Sequence, residues 1–214
     1  MRFRDREQAG RVLAQSLGRY AELPGVVVLG LPRGGVPVAF EVAHALGAPL
    51  DVFVVRKLGL PGHEEFAMGA IATGDVIVMN PDVRAFDIPQ AAIDAVVVRE
   101  RAELARREAA YRGNRPPLAV DDRVVILVDD GLATGSTMLA AARAVKLGHP
   151  RRVVVAVPVA AVETCRTLRS EVDDVVCAMT PEPFRAVGLW YDDFSQVSDA
   201  EVRALLYAAW GAEV

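Results

Sequence analysis

Short runs of mostly β-branched residues recur along this chain, each followed by a stretch with helical spacing, and that alternation restricts the fold more than any other feature. The runs GVVVLG, LDVFVV, RVVILV, RVVVAVP and DDVVCAM are nearly continuous in apolar residues, the pattern of strands covered on both faces. Between them, GVPVAFEVAHALG, TMLAAARAVKLG and VETCRTLRS read as helices, the first closed by Gly47. Strands alternating with helices imply an α/β fold built on a mostly parallel twisted sheet with helices on both faces. At the N-terminus, Ala9, Val12, Leu13, Leu17 and Tyr20 fall on one face of a helix. Near the other end, Ser198 and Glu201 form a capping box that opens a last helix, AEVRALLYAAW.

The 214 residues, just over half of them apolar, suffice for one core, so residues 1–214 are expected to form a single domain. Three segments depart from the alternation. Lys57 to Asp75 holds four glycines and a proline without a sustained period, so residues 57–75 are expected to be a long loop that closes over a site, ahead of a short strand VIVMN. An inserted helical segment, about 82–115, carries a long helix with Glu103 and Arg107, and Glu108 and Arg112, at i,i+4. Its alternating charges suit a solvated face. The tail, about 180–214, is aromatic and irregular before the last helix; Phe184, Trp190 and Tyr191 in it would serve equally as core or as a stacking surface.

A formal net charge of −4 gives no general attraction to polyanions, so no nucleic-acid partner is expected. The apolar runs are too short to span a bilayer and MRFRDREQAG has no signal-peptide core. A soluble, cytoplasmic protein is therefore expected. The two cysteines, Cys165 and Cys177, show no metal-ligand spacing to any of the three histidines, and Cys177 fits a core strand. Neither a disulfide framework nor a structural metal site is anticipated.

The chemistry concentrates in VVILVDDGLATGSTM, where an apolar strand stops at Asp129 and Asp130. In a parallel sheet, ligands lie beyond the carboxyl ends of the strands. The small residues Gly131, Ala133, Gly135 and Ser136 let backbone N–H groups approach a ligand, and the positive end of the following helix points the same way. An anion, most simply a phosphate, fits there, with the hydroxyls of Thr134, Ser136 and Thr137 as further donors. Ser136 stands where a P-loop requires lysine, and GLPRGG after the first strand lacks the G-x-G of a dinucleotide fingerprint. Two carboxylates beside a phosphate need hydroxyl donors or a cation opposite them, so a sugar phosphate, with or without Mg²⁺, satisfies the loop.

These residues resemble the phosphoribosyl pyrophosphate (PRPP) signature of type I phosphoribosyltransferases. GLPRGG is similar to that family's pyrophosphate loop and VVRKLG to its next PRPP-contacting segment, in the family's order, so the resemblance covers roughly Val26 to Met179. The flanking pieces and the charged helix look like those of a poorly characterised bacterial subgroup. The resemblance implies a Mg²⁺-dependent transfer of the 5-phosphoribosyl group to a nitrogenous base with release of pyrophosphate, in a homo-oligomer, expected to be a dimer. It implies that Asp129 and Asp130 hold the ribose hydroxyls and the metal, directly or through water. Ala133, Thr134, Gly135, Ser136 and Thr137 would wrap the 5′-phosphate, and Arg33 with Gly34 and Gly35 would clamp the pyrophosphate. Arg56 and Lys57 would add substrate contacts. It also places a non-proline cis peptide near Pro32 and Arg33.

Ala133 stands where several purine-salvage relatives carry an acidic residue that assists deprotonation of the base. Any general base must then come from elsewhere, with Glu64, Glu65, Asp192 and Asp193 as candidates. A regulatory PRPP-sensing protein on the same fold is the alternative. An unrelated sugar-phosphate enzyme would leave PRGG and RKLG unexplained.

Overall fold

The computed structural model describes residues 2–80 and 88–211, apart from the side chains of Glu64 and Glu65. Five strands, β1 (Val26–Gly30), β2 (Leu50–Val52), β6 (Val124–Val128), β7 (Arg152–Val159) and β8 (Asp174–Met179), form a wholly parallel sheet in the order β2-β1-β6-β7-β8. Alternate residues of the central strands feed two separate cores. Val26, Val28, Val124, Ile126 and Val154 meet α1 (Arg6–Ser16), α2 (Gly35–Leu46) and α6 (Asp199–Gly211). Val27, Leu29, Val125, Leu127 and Val155 meet α4 (Ser136–Lys146) and α5 (Val162–Arg169). Burial on both faces is why these strands read as unbroken apolar runs.

Helix boundaries follow local chemistry. Asp5 accepts the Gln8 N–H at 2.7 Å to cap α1, Gly47 ends α2 at φ 61°, and Ser198 and Glu201 exchange the bonds of a capping box at the start of α6. A third, smaller cluster joins Phe3 and Ala9 to Val159 at the end of β7 and to Tyr191, with Met179, Phe184, Trp190 and Phe194 against it. Chain ends thus meet as an aromatic hood at the carboxyl edge of the sheet. The backbone ties them as well, with Phe3 N–H on the Trp190 carbonyl and Asp192 N–H on that of Phe3, at 2.9 and 2.8 Å.

Residues 57–75 are not a loop. They belong to an antiparallel sheet of β3 (Val55–Leu60), β4 (His63–Ala72) and β5 (Val76–Met79), with the turn at Pro61 and Gly62. The glycines that hid it serve different ends: Gly62 and Gly74 turn the chain at φ 79° and 84°, whereas a Cβ on Gly69 would run into the Val78 carbonyl of the neighbouring strand. Leu58, Leu60, Met68 and Ile71 are fully buried and join the core that holds α3 (Gln90–Arg112). The second strand is correspondingly shorter than LDVFVV, ending at Val52. Of the inserted segment, 82–87 lies outside the described residues, and α3 is its helix.

α3 is more than a solvated face. The expected pairs Glu103–Arg107 and Glu108–Arg112 both form at 2.9 Å, but Arg112 itself is buried. Its Nε donates to both carboxylate oxygens of Asp51 at 2.8 and 3.0 Å, and Asp51 also accepts the N–H groups of Val52 and Leu118. A buried, fully bonded pair fixes geometry even where it adds little net stability. The cysteines also differ from expectation. Cys165 on α5 and Cys177 on β8 are joined as a disulfide, because α5 packs on the strand that carries its partner. No helix among the described residues is long and apolar enough to cross a membrane.

Asp51→Ala leaves the buried Arg112 Nε and the Val52 and Leu118 N–H groups without their acceptor and the guanidinium charge without its buried counter-ion, and is expected to destabilise the fold by about 3 kcal/mol in urea melts. A variant within about 0.5 kcal/mol of the parent would show that the pair is not a tether for α3.

Candidate functional site

β1 and β6 lie side by side in register, Gly30 opposite Val128, so their carboxyl ends are level. The chain leaves β1 toward β2 on one side and leaves β6 toward β7 on the other. This divergence opens the crevice at which open α/β sheets bind ligands. Both loops predicted to carry the chemistry begin there. They are joined at the base by the Leu31 N–H, which donates to the Val128 carbonyl at 2.8 Å.

The first loop, residues 31–34, has a cis peptide between Pro32 and Arg33, where the resemblance placed one. Its glycines are dictated by what they touch. A Cβ on Gly34 would overlap the Asp130 carboxylate, and one on Gly35 would meet the Val128 carbonyl at 2.7 Å and the Asp129 Cα at 2.9 Å. Gly34 and Gly35 therefore bring this loop into direct contact with the acidic pair. The Arg33 side chain turns away from it, toward Asp199 on α6, with 3.9 Å between Nη1 and Oδ1.

The second loop, residues 129–135, is held down by Leu132, which pairs with Ala160 beyond β7, and by Gly131, where a Cβ would strike Val187 of the tail. Gly135 takes φ 71° at the N-cap of α4 and supplies no side-chain cap. The first N–H groups of α4 thus lack an intrahelical partner and lie beside exposed Thr134, Ser136 and Thr137. Ala133 is also exposed, and its carbonyl accepts the Thr164 hydroxyl of α5. The set of amides, hydroxyls and helix dipole suits a phosphate group.

The acidic pair is recessed beneath the hood. Asp129 Oδ1 accepts the Asp130 N–H at 2.8 Å, and Tyr191 donates its hydroxyl to the Asp130 carbonyl at 2.6 Å. Burial, with the neighbouring Asp130 charge behind it, pushes the Asp129 carboxyl well above the usual carboxylate range. Burial also raises Asp130, opposed by Arg6. Arg6 donates Nε to Asp130 Oδ2 at 2.8 Å and Nη1 to the Ser195 carbonyl at 2.7 Å, with its guanidinium 4.0 Å from the centroid of the Phe194 ring. Arg6, Phe194 and Ser195 escaped the reading of the sequence. One signal was present: a cation in the first turn of a helix opposes the dipole and needs a partner elsewhere.

Arg56 lies on β3, not at the end of β2, and gives Nε and Nη2 to Glu100 of α3 at 3.0 and 2.6 Å. Its contacts tie the small sheet to α3. Lys57 beside it is exposed. Of the candidate bases, Asp193 accepts the Ser195 N–H at 2.9 Å and sits in a local turn, and the side chains of Glu64 and Glu65 lie outside the described residues. Among the described residues no cluster of three or more His, Cys, Asp or Glu could hold a metal ion unaided.

The geometry agrees with what the chain resembles. Residues 3–188 match the family model described as a phosphoribosyl transferase domain. Two Mycobacterium tuberculosis proteins, each named "Putative phosphoribosyl transferase", are 49% identical over 207 residues. The match takes in 95% of this chain and 46% of theirs, so the chain spans about half the length of these curated relatives. The crystal structure of TT1426 from Thermus thermophilus is 48% identical, with a TM-score of 0.87 over 97% of this chain and 99% of that one. "Bifunctional protein PyrR" of Chloroflexus aurantiacus is 33% identical over 128 residues, covering 58% of this chain and 65% of its own. With a family model covering most of its length and its two diagnostic loops meeting at one crevice, the chain belongs to the phosphoribosyl transferase domain family.

Proposed function

We propose that this protein binds PRPP in the crevice between β1 and β6 and transfers its 5-phosphoribosyl group to a nitrogenous base, releasing pyrophosphate. The observation that carries this reading is the abutment of the Gly34–Gly35 loop on the Asp129–Asp130 pair, with the amide and hydroxyl nest of Gly135 to Thr137 alongside. Three chemically distinct subsites then line up: a nest for the 5′-phosphate, carboxylates for the 2′- and 3′-hydroxyls, and a close-set loop for the pyrophosphate.

Cleavage at C1 of the ribose builds positive charge on the ring and negative charge on the leaving pyrophosphate. The oxygens of Asp129 and Asp130, under the ring, favour the first; the Arg33 and Gly34 N–H groups at the head of α2 favour the second. Arg6 orients Asp130 and opposes the burial that raises its pKa, so that the carboxyl gives up its proton more readily than burial alone would allow. The hood of Tyr191 and Phe194 shields the same carboxylates from water. Mg²⁺ fits only in company with the ligand: Asp129 and Asp130 would hold it, through water, against the substrate's own oxygens, where it would offset the charge of the departing pyrophosphate.

Asp129→Asn keeps the shape but replaces an acceptor oxygen with a donor amide, and is expected to weaken PRPP binding about tenfold or more in calorimetry. Undiminished binding would remove Asp129 from the sugar site. Pyrophosphate release on incubation with PRPP, Mg²⁺ and one of a panel of purines and pyrimidines identifies the acceptor. Tight PRPP binding with no release under any acceptor would assign the protein to PRPP sensing instead.

Arg6→Gln is expected to move the pH at which PRPP affinity collapses upward, with about tenfold weaker binding than the parent on the acid side of that transition and a narrowing difference as pH rises. Stability runs the opposite way. A carboxyl whose folded pKa is raised favours the native state while protonated and loses that contribution as pH rises through its folded pKa. The variant should thus lose stability with rising pH above the ordinary carboxylate range of about 4 more steeply than the parent. Identical pH profiles of affinity in the two proteins would exclude Arg6 from this role.

A further inference from the structure

Behind the Gly34–Gly35 loop, on the side away from the acidic pair, lies a polar cavity of about 410 Å³ between Pro32 and Arg33, the last turns of α3 and the start of α6. Arg33, Arg106 and Arg107 line it together with Tyr111 and Asp199. Its cations come from two remote stretches of sequence, one of them the inserted helix, and converge on one space.

The charges in and around it do not cancel. Glu103 anchors both helix arginines, taking Arg106 through Nε and Nη2 at 2.7 and 2.9 Å and Arg107 through Nε at 2.9 Å. These bonds hold Glu103 ionised, down to a pKa of about 2. Arg107 commits only its Nε among the described residues, so most of its donor fork remains for something else. Arg33 has its ion pair with Asp199 at 3.9 Å, beyond hydrogen-bond reach. Asp199 is occupied instead by the Tyr111 hydroxyl at 2.9 Å, and that phenol stays protonated, its pKa pushed up to about 12 by burial and by the neighbouring carboxylate. Three guanidiniums thus stand against two carboxylates, and each of those carboxylates already accepts bonds. Forked donors on three sides match phosphate oxygens.

We propose that this cavity is a second anion site, separate from the α4 nest, that takes a compact, multiply charged phosphate through Arg33, Arg106 and Arg107. Arg33 is followed directly by Gly34, which lies against Asp130. An anion that draws Arg33 inward therefore acts on the loop that contacts the sugar carboxylates. In this way the inserted helix gains a purpose in the site, as one wall of a pocket for a phosphorylated effector distinct from the departing pyrophosphate.

The test is calorimetric titration of pyrophosphate into the full chain in saturating ribose 5-phosphate, which fills the α4 nest. Wild type is expected to bind, and Arg106→Gln/Arg107→Gln to bind at least about tenfold more weakly. Arg99→Gln/Arg101→Gln, which removes equal charge from another part of α3, should bind as wild type. Thermal melts of both variants are expected to match the parent, since Arg106 is largely exposed and the helix is kept. Equal binding by the first variant and the parent, or an equal loss in the second, would overturn the proposal. Repeating the titration in saturating PRPP separates the two sites: simultaneous binding is expected of a separate effector pocket, and loss of pyrophosphate binding would overturn the proposal by making the cavity part of the transfer site. A ribose 5-phosphate heat that is absent, or indifferent to Thr134→Ala, would count against the transferase reading alone. The Arg106 and Arg107 result stands apart from it.

Discussion

Two carboxylates set side by side in a recess repel each other and resist ionisation, and the protein around them is arranged to tolerate it. Arg6 reaches Asp130 from the first turn of α1, a backbone amide satisfies Asp129, and Tyr191 braces the turn through the Asp130 carbonyl. Phe194 backs the Arg6 guanidinium, and Ser195 holds its other edge. The joining of the two chain ends into one hood follows from this, because the residues that keep the acidic pair usable come from both.

The sheet supplies position and the glycines supply closeness. With Gly30 and Val128 opposite one another, the loops after β1 and β6 start at the same height, and Gly34 and Gly35 let them touch. Substituting either glycine would press a methyl group onto an acidic side chain or its backbone, so the two loops are one unit rather than neighbours. The α4 nest adds a region of positive potential to one side of that unit, and the arginines behind Arg33 add another. A doubly anionic ligand that spans the crevice would meet donors at both ends and acceptors only in its middle.

The parallel sheet, its flanking helices and the two loops were legible because strands buried on both faces leave continuous apolar runs, and because DDGLATGST and PRGG are local. What sequence concealed was set by distant contacts. Residues 57–75 read as a loop since their glycines break the apolar alternation, two of them, Gly62 and Gly74, as tight turns between strands and one, Gly69, through its close approach to β5. Arg56 read as a substrate contact because it follows an apolar run, yet the strand it belongs to is β3, and its partner, Glu100, lies 44 residues on. Arg6 and Phe194 are 188 residues apart and meet only through the hood. Nothing in the spacing of Cys165 and Cys177 signals their union, which depends on how α5 lies over β8.

The central claim is that one crevice grips a pentose phosphate by its two ends, and a crystal structure of the protein soaked with ribose 5-phosphate tests it most directly. The account predicts phosphate density on the N–H groups and hydroxyls at the start of α4, with the 2′- and 3′-oxygens within hydrogen-bond reach of Asp129 and Asp130. Density for the sugar anywhere else, with the acidic pair still engaged only by Arg6, would contradict it.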